Sequence, residues 1–410
     1  MRGNVLVGQS GGPTAVINAS LAGVVRAARG AGFGGDPSDG RILGMRFAIE
    51  GFMEERLVDL GALGHDDLDL LRHTPGSALG SCRYKLRDED LPRIHRLLER
   101  YNVRYLFYIG GNDTMDTIHR ISRYCADHGY ELRGVGIPKT VDNDLYATDH
   151  TPGFPSAARY VALSVAQAGR LARDMQRVDR FLVHQTIGRD AGWLAASAAL
   201  ARRRDGDAPH LIYVPEHPIE REQVLADVER VIGQYGWASI VIGEGTTWTD
   251  GTPVSAAAET DRFDNVEFGA MSGSSAALNL HRLISSATGY RGEFQIPESM
   301  PMSADDRRGP HDADEAYACG VEAVRRALME EDGVMVTIER VAGAPAYEVT
   351  YGSAPLADVA VRARPMPPEM LTPGYVTDAF LEYARPLVGD MPSYLDLAGF
   401  EIPTSDRSTQ

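Results

Sequence analysis

The densest group of reactive side chains in this 410-residue chain is Pro138-Lys139-Thr140-Val141-Asp142-Asn143-Asp144. Asp142 and Asp144 stand at i and i+2, so in an extended chain both point the same way. Two carboxylates beside a lysine make poor surface decoration and a good phosphoryl-transfer site. Such a site needs one carboxylate to take a hydroxyl proton, another to hold Mg2+, and a cation for the transferring group. A solvated Asx-rich turn is the competing reading of the same residues.

Two glycine turns add to this group. In Gly110-Gly111-Asn112-Asp113-Thr114 the glycines let a backbone approach a ligand, and an amide, a carboxylate and a hydroxyl follow at the head of a helix. Asp113 or Thr114 would also serve as an N-cap, a role compatible with ligand binding. Gly11-Gly12 opens another helix and can present backbone N–H groups to a phosphate, although any strand-to-helix turn favours glycine. That first turn carries no GxGxxG, and no GxxxxGK[ST] occurs in the chain. The dinucleotide fingerprint and the common nucleotide loop are therefore excluded.

These residues need a scaffold that gathers turns, and the flanking segments describe one. Asn4–Val7 runs through the Gly11-Gly12 turn into a helical stretch, Ala15–Arg29. Tyr105–Ile109 runs into Gly110–Thr114 and a helix with Met115, Ile118, Ile121 and Cys125 on one face, ending near Gly129. Val135–Ile137 enters Pro138-Lys139-Thr140. Phe181–Val183 leads to Gly188-Arg189 and a small-residue helix, Ala191–Arg202. Leu211–Val214, a polar helix from Glu220, and Ser239–Ile242 ending at Gly243-Glu244-Gly245 complete the series. Strands alternating with helices predict parallel sheets covered on both faces, with ligands beyond the strands' carboxyl ends, where these turns lie. Gly30–Gly40, Thr246–Thr260 and Met300–Asp314 read as loops, and Thr404–Gln410 as a frayed polar tail.

The charge balance restricts partners. With 41 basic against 57 acidic residues the formal net charge is −16, which opposes nucleic acid and anionic membrane surfaces. An anionic ligand must be held by a few focused cations. Only two of the basic residues are lysines, Lys85 and Lys139, in a chain that otherwise uses arginine. A planar guanidinium cannot stand in for a compact ammonium, so both lysines become candidates for point-charge work. Met1–Ser10 does not read as a signal peptide and no run has the length of a membrane span. Cys82, Cys125 and Cys319 form no CxxC pair, which fits a reducing cytoplasm without a zinc or disulfide framework.

Ser10-Gly11-Gly12, Gly110–Thr114, Pro138–Asp144, Ile187-Gly188-Arg189 and Gly243-Glu244-Gly245 follow one another in the order and spacing of the phosphofructokinase family. The chain resembles its pyrophosphate-dependent branch over most of its length, including Val376–Leu387 near the end. The resemblance implies an α/β fold of two Rossmann-like three-layer domains with mainly parallel sheets and the active site in the interdomain cleft. It implies a donor domain of 1–153 plus about 300–330, and a sugar-phosphate domain of 154–299 plus about 331–403.

The implied reaction is Mg2+-dependent phosphoryl transfer from pyrophosphate to fructose 6-phosphate. On this likeness Asp142 is the general base, and Thr140, Arg189 and Lys139 steady the moving phosphoryl. Gly11, Gly12, Arg83, Gly111, Asp113 and Thr114 face the donor, and Asn112 and Asp144 the metal. Arg180 reaches the sugar phosphate of a neighbouring subunit, which implies a homo-oligomer, dimer or tetramer. Ile187, Gly188, Glu244 and Arg291 are sugar-side residues. ATP-using relatives have glycine at the place of Asp113 and usually at that of Lys139. An aspartate there crowds and repels an α-phosphate, and a lysine supplies charge for the compact diphosphate.

The chain departs from the family at two places. Asn112 replaces a common aspartate near the metal, which removes a charge. Ser299 and Met302 stand where relatives carry an aromatic or His residue and a phosphate-gripping arginine. Arg307 and Arg308 are the nearby candidates to replace it. The alternatives are therefore a pyrophosphate-dependent kinase of a different sugar, sugar phosphate or polyol, or a non-catalytic regulatory homologue. Intact Asp142, Thr140 and Arg189 count against the latter.

Overall fold

A computed structural model describes residues 2–35, 39–255, 274–397 and 400. Along the chain, β1 (Asn4–Gln9) leads into α1 (Ile17–Gly30), β2 (Ile42–Met45), α2 (Ala48–Met53) and β3 (Leu57–Asp59). Then come α3 (His65–His73), α4 (Leu91–Arg100), β4 (Val103–Gly110), α5 (Asn112–Asp127) and β5 (Arg133–Pro138). The long α6 (Phe154–Asp174) precedes β6 (Phe181–Thr186), α7 (Trp193–Ser197), β7 (Leu211–Tyr213), α8 (Arg221–Tyr235) and β8 (Ala238–Gly243). They are followed by α9 (Ala276–Thr288), β9 (Gly292–Gln295), α10 (Met300–Ser303), α11 (Asp312–Leu328), β10 (Val334–Arg340) and β11 (Val349–Pro355). The last described elements are α12 (Leu356–Val359), a small hairpin of β12 (Leu371–Thr372) and β13 (Tyr375–Val376), and α13 (Asp378–Val388).

The strands form two main sheets. The first has the order β11-β10-β5-β4-β1-β2-β3, parallel from β2 through β10 with antiparallel β3 and β11 at its edges. Its strands are apolar on both faces because both are covered. Val5, Val7, Phe107 and Ile109 pack with Leu21 of α1 and Ala323 of α11. Leu6, Leu106 and Tyr108 pack on the other side with Ile94 of α4 and Met115 and Ile118 of α5. The second sheet, β7-β8-β6-β9, is wholly parallel. Val183, Ile240 and Ile242 face α8 and α9, whereas Ile212 and Val241 face α6 and α7. Two three-layer α/β units result, as expected.

The division of the chain between them differs from the expected one. Val334 and Met335 of β10 pair with Val135 and Gly136 of β5, so the β10–β11 hairpin extends the first sheet. The stretch 334–355, expected in the sugar-phosphate domain, belongs to the first unit. Conversely α10 packs on α6 of the second unit, and the first unit resumes only at α11. Met300–Asp314 is accordingly not a plain loop: it holds α10 and the start of α11. Ala191–Arg202 is helical from Trp193, ending in a tighter 3-10 turn, Ala198–Ala201. Parts of the expected loops at 36–38 and 256–260, and the tail Thr404–Gln410, lie outside the described residues. The units meet where the buried Asp312 of α11 accepts hydrogen bonds from the Gly153 and Ser156 N–H groups, capping α6. No described helix is long and apolar enough to cross a membrane.

Candidate active site

Parallel neighbours end together, and this gathers the turns. Gln9 pairs with Ile109 and Gly110 with Pro138, so β1, β4 and β5 deliver Gly11-Gly12, Gly111-Asn112 and Lys139-Thr140 side by side. In the second sheet Thr186 pairs with Gly243, which sets Ile187-Gly188-Arg189 beside Glu244-Gly245. A Cβ on Gly245 would lie 1.7 Å from the Arg189 carbonyl oxygen, so only glycine allows these two turns to touch. The two sets of turns face one another across a cleft. Asp142 from the first unit feels Arg189 of the second, and Glu244 feels Asp142.

Lys139 is the best-defined cation of the site. Its side chain is buried, 3% exposed, and its Nζ lies 2.9 Å from where a Cβ on Gly11 would stand. Gly11 adopts φ +75°, so both its backbone and its missing side chain make room for the ammonium. Burial lowers the Lys139 pKa to about 8, against the opposing pull of Asp142 and Asp144. A bound polyanion would raise it again. The Ser81 hydroxyl donates to the Gly11 carbonyl at 2.6 Å, which brings the Ser81-Cys82-Arg83 segment to the same turn. Arg83 is exposed beside it, as is Lys85 two residues on.

The carboxylates converge, though not through extended chain. Asn143 between them is in the left-handed region, φ +58°, and 0% exposed, so the backbone turns a corner there. The Thr140 hydroxyl accepts from the Asp142 N–H at 3.1 Å and holds the corner from its start. Asp142 and Asp144 both keep part of their surface open, and both interact with Lys139. Burial and then Asp144 raise the Asp142 pKa to about 7, with Lys139 and Arg189 opposing. Asp144 is raised chiefly by burial. Glu244 is pushed up to about 7 by burial, against the hydrogen bond its carboxylate accepts from the Gly188 N–H at 3.2 Å. Asp190, missed in the sequence, also acts on Asp142 and Asp144. Its position next to Arg189 was the available signal.

Asn112 begins α5. Its Nδ2 donates to Asp144 Oδ2 at 3.3 Å, while its Oδ1 is buried with no hydrogen-bond partner. An orphaned amide oxygen beside a carboxylate suits a hard, oxygen-seeking cation. Among the described residues there is no group of three His, Cys, Asp or Glu side chains that could hold a metal by itself. A cation here must therefore share its shell with water or phosphate oxygens. Asp113, next in line, is exposed and Thr114 is buried against Gly110.

Other expected residues lie elsewhere. Arg180 and Arg291 precede β6 and β9, at the amino ends of strands whose carboxyl ends carry the cleft. Their backbones bond to each other, Arg180 N–H to the Arg291 carbonyl at 2.8 Å. Arg180 stacks on Tyr290, and the Arg291 side chain, 74% exposed, pairs with Asp179 at 2.8 Å. With six residues of β6 intervening, about 20 Å at strand rise, Arg180 does not enter this chain's own cleft. Arg307 bonds to Ser164 and stacks on Tyr160 of α6. Arg308 bonds to the His73 carbonyl and Asp305. Both are engaged with partners outside the cleft turns, on α6, at the end of α3 and at Asp305. Met302 instead crosses the cleft: its methyl carbon lies 2.1 Å from where a Cβ on Gly12 would be.

Residues 4–296 match the family model for phosphofructokinase. The chain is 37% identical over 393 residues, 94% of its length and 91% of the relative's, to pyrophosphate–fructose 6-phosphate 1-phosphotransferase of Halomonas elongata. Identity is also 37% over 400 residues, covering 95% and 93%, to the enzyme of that name from Xanthomonas campestris pv. campestris. Among solved structures it is similar to pyrophosphate-dependent phosphofructokinase from Marinobacter aquaeolei. That match has a TM-score of 0.84 and 32% identity, covering 96% of this chain and 94% of the other.

Proposed function

This chain belongs to the phosphofructokinase family, and from that membership and the geometry of its cleft we propose that it transfers a phosphoryl group from pyrophosphate to fructose 6-phosphate. The observation that carries the reading is the convergence of the Lys139 ammonium, seated over Gly11, with Asp142 and Asp144 opposite Arg189 and Glu244. The diphosphate lies along the Gly11-Gly12 and Gly111 turns, where backbone N–H groups, Lys139 and Arg83 meet its charge. Asp142 takes the proton of the sugar's 1-hydroxyl as that oxygen attacks the near phosphorus. The bridging P–O bond breaks, orthophosphate leaves, and fructose 1,6-bisphosphate is formed. Arg189 and Lys139 face the equatorial oxygens, where transition-state charge collects. Asn112 and Asp144 would hold Mg2+, which would neutralise diphosphate charge when bound.

The 6-phosphate of the acceptor is held by Arg180 and Arg291 of a second copy, a reading supported by their place at the far end of the strands from this chain's own cleft, Arg291 exposed and Arg180 half-buried. The reading thus includes a homo-oligomer, and a reducing, cytoplasmic setting fits three free cysteines. Met302 and Ser299 favour keeping a different acceptor as the second reading.

One assay matrix tests both: pyrophosphate or ATP as donor, crossed with fructose 6-phosphate, other sugars and sugar phosphates, with and without Mg2+. Turnover with pyrophosphate and fructose 6-phosphate is expected only with Mg2+. Turnover on another acceptor alone would replace the acceptor assignment. No turnover on any pair would end the enzymatic reading.

A further inference from the structure

The corner that carries Asp142 and Asp144 is held from behind by a residue that no sequence motif marked. Arg364 lies in the connection between α12 and α13, on the C-terminal part of the chain. Its Nε and Nη2 both donate to the Asn143 carbonyl, at 3.2 and 3.0 Å. Nη1 donates to the Thr148 carbonyl at 3.1 Å and to the Asp149 carbonyl. Nη2 also reaches the Tyr383 hydroxyl at 3.3 Å. A guanidinium has five N–H donors, and these five bonds use them all. The Arg364 backbone N–H donates to the Asp144 carbonyl at 2.7 Å. Its guanidinium lies 4.4 Å over the buried Trp193 ring, whose Nε1 donates to the Arg364 carbonyl at 3.1 Å.

Tyr383, on α13, completes the arrangement. Its hydroxyl accepts from Asn143 Nδ2 at 2.9 Å and donates to the Asp149 carbonyl at 2.8 Å. Asn143 Oδ1 in turn accepts from the Thr151 N–H at 3.1 Å. The left-handed Asn143 is thus fixed at its carbonyl, amide nitrogen and amide oxygen together. Left-handed backbone is uncommon outside glycine, asparagine being among the residues that tolerate it best, and here the surroundings hold it in place.

We propose that Arg364, with Tyr383, is a positioning residue for the phosphoryl-transfer reaction: it clamps the backbone at Asn143, Thr148 and Asp149 so that Asp142 and Asp144 face one site. This rests on the functional reading above, in which Asp142 is the base. Arg364 has its donors spent on backbone carbonyls and the Tyr383 hydroxyl, which leaves none for substrate. Its loss therefore acts on alignment, which the transition state feels more than the bound ground state.

The test uses the full chain with Arg364→Met, Arg364→Lys and Tyr383→Phe. Hydrogen exchange over residues 140–151 reads the clamp, and steady-state kinetics read its consequence. Arg364→Met is expected to speed exchange at 140–151 and lower kcat by about 100-fold, with both KM values changed less than about threefold. Arg364→Lys keeps the charge but not the planar fork and should recover about tenfold of the loss. Tyr383→Phe should lie between Arg364→Lys and wild type. If Arg364→Met does not fold, the other two variants carry the same comparison. Unchanged exchange, kcat within threefold of wild type, or a loss confined to KM would overturn the proposal. If the wild-type chain itself shows no turnover, the functional reading fails separately. Exchange at 140–151 then decides the clamp alone: faster exchange supports it, unchanged exchange rejects it.

Discussion

At the scale of single residues, the buried Lys139 and the half-buried Asp142 would set the working pH of the proposed reaction. Asp142 must be ionised to take a proton, and its pKa is raised to about 7. Lys139 must be protonated to hold a diphosphate, and its pKa is lowered to about 8. The profile of kcat/KM for pyrophosphate should be a narrow bell with limbs near those two values, read by initial rates from pH 5.5 to 9.5. Lys139→Met should remove the alkaline limb along with most of the activity; a limb that survived would reassign that charge. Stability follows the same group. Folded Asp142 keeps its proton to about pH 7, whereas an unfolded carboxylate loses it near pH 4. The folded chain therefore binds more protons between those values, and stability falls as pH rises through that window. Asp142→Asn should abolish turnover yet raise denaturant stability at pH 8 by roughly 1–3 kcal/mol. A variant less stable than wild type at pH 8 would contradict the burial of this charge. The resemblance assigns donor choice to Asp113, which is exposed at the head of α5. Asp113→Gly should raise kcat/KM for ATP relative to pyrophosphate by at least about tenfold, and an unchanged ratio in a folded variant would reassign the selectivity. The residue types at 139, 142 and 144 were legible because two carboxylates and a scarce lysine within six positions have few structural uses. Arg364 was not, because one arginine among 39 carries no local signature and the carbonyls its guanidinium holds lie more than 200 positions away.

At the scale of elements, parallel strands ending level with one another do the gathering. The strand–turn–helix units around Gly11, Gly111, Lys139, Gly188 and Gly245 were readable because their apolar runs are unbroken and their turns rich in glycine. The i, i+2 argument for Asp142 and Asp144 reached the right convergence by the wrong geometry, since Asn143 bends the chain. Asn tolerates that bend and Thr140 holds it locally, but its partners Arg364 and Tyr383 come from the C-terminal segment, which local sequence does not reveal. The β10–β11 hairpin was placed in the wrong unit for a related reason. Its apolar pattern says that it is buried, and only the sheet says against which strand. Gly11 gives a prediction at this scale. A methyl on it would meet the Lys139 ammonium at 2.9 Å in a left-handed backbone position. Gly11→Ala should raise the KM for pyrophosphate at least about tenfold while leaving the KM for fructose 6-phosphate within about twofold. Equal effects on both substrates would mean that the turn serves the cleft as a whole.

At the scale of the whole molecule, a body of net charge −16 must take in two anions. On the proposed reading it does so by focusing a few cations inside a cleft and by using the half-buried Arg180 and exposed Arg291 at the opposite end of the second sheet for a second copy. Arg180→Met should raise the KM for fructose 6-phosphate by about tenfold or more and leave that for pyrophosphate within about twofold. Specific activity of wild type should also fall on dilution below the concentration at which light scattering shows copies separating. An Arg180→Met enzyme with an unaltered sugar KM would remove the second copy from the site. The interleaving of the units has one more consequence. Central strand β5 gains its second neighbour at β10, and α1 its covering helix at α11, only from residues beyond 311. A nascent chain emerging from the ribosome therefore cannot close its first half before the second has been synthesised. Vectorial, half-by-half maturation is closed to this protein, and a fragment truncated at the first unit's apparent end, near residue 153, should emerge as an aggregation-prone, chaperone-dependent species.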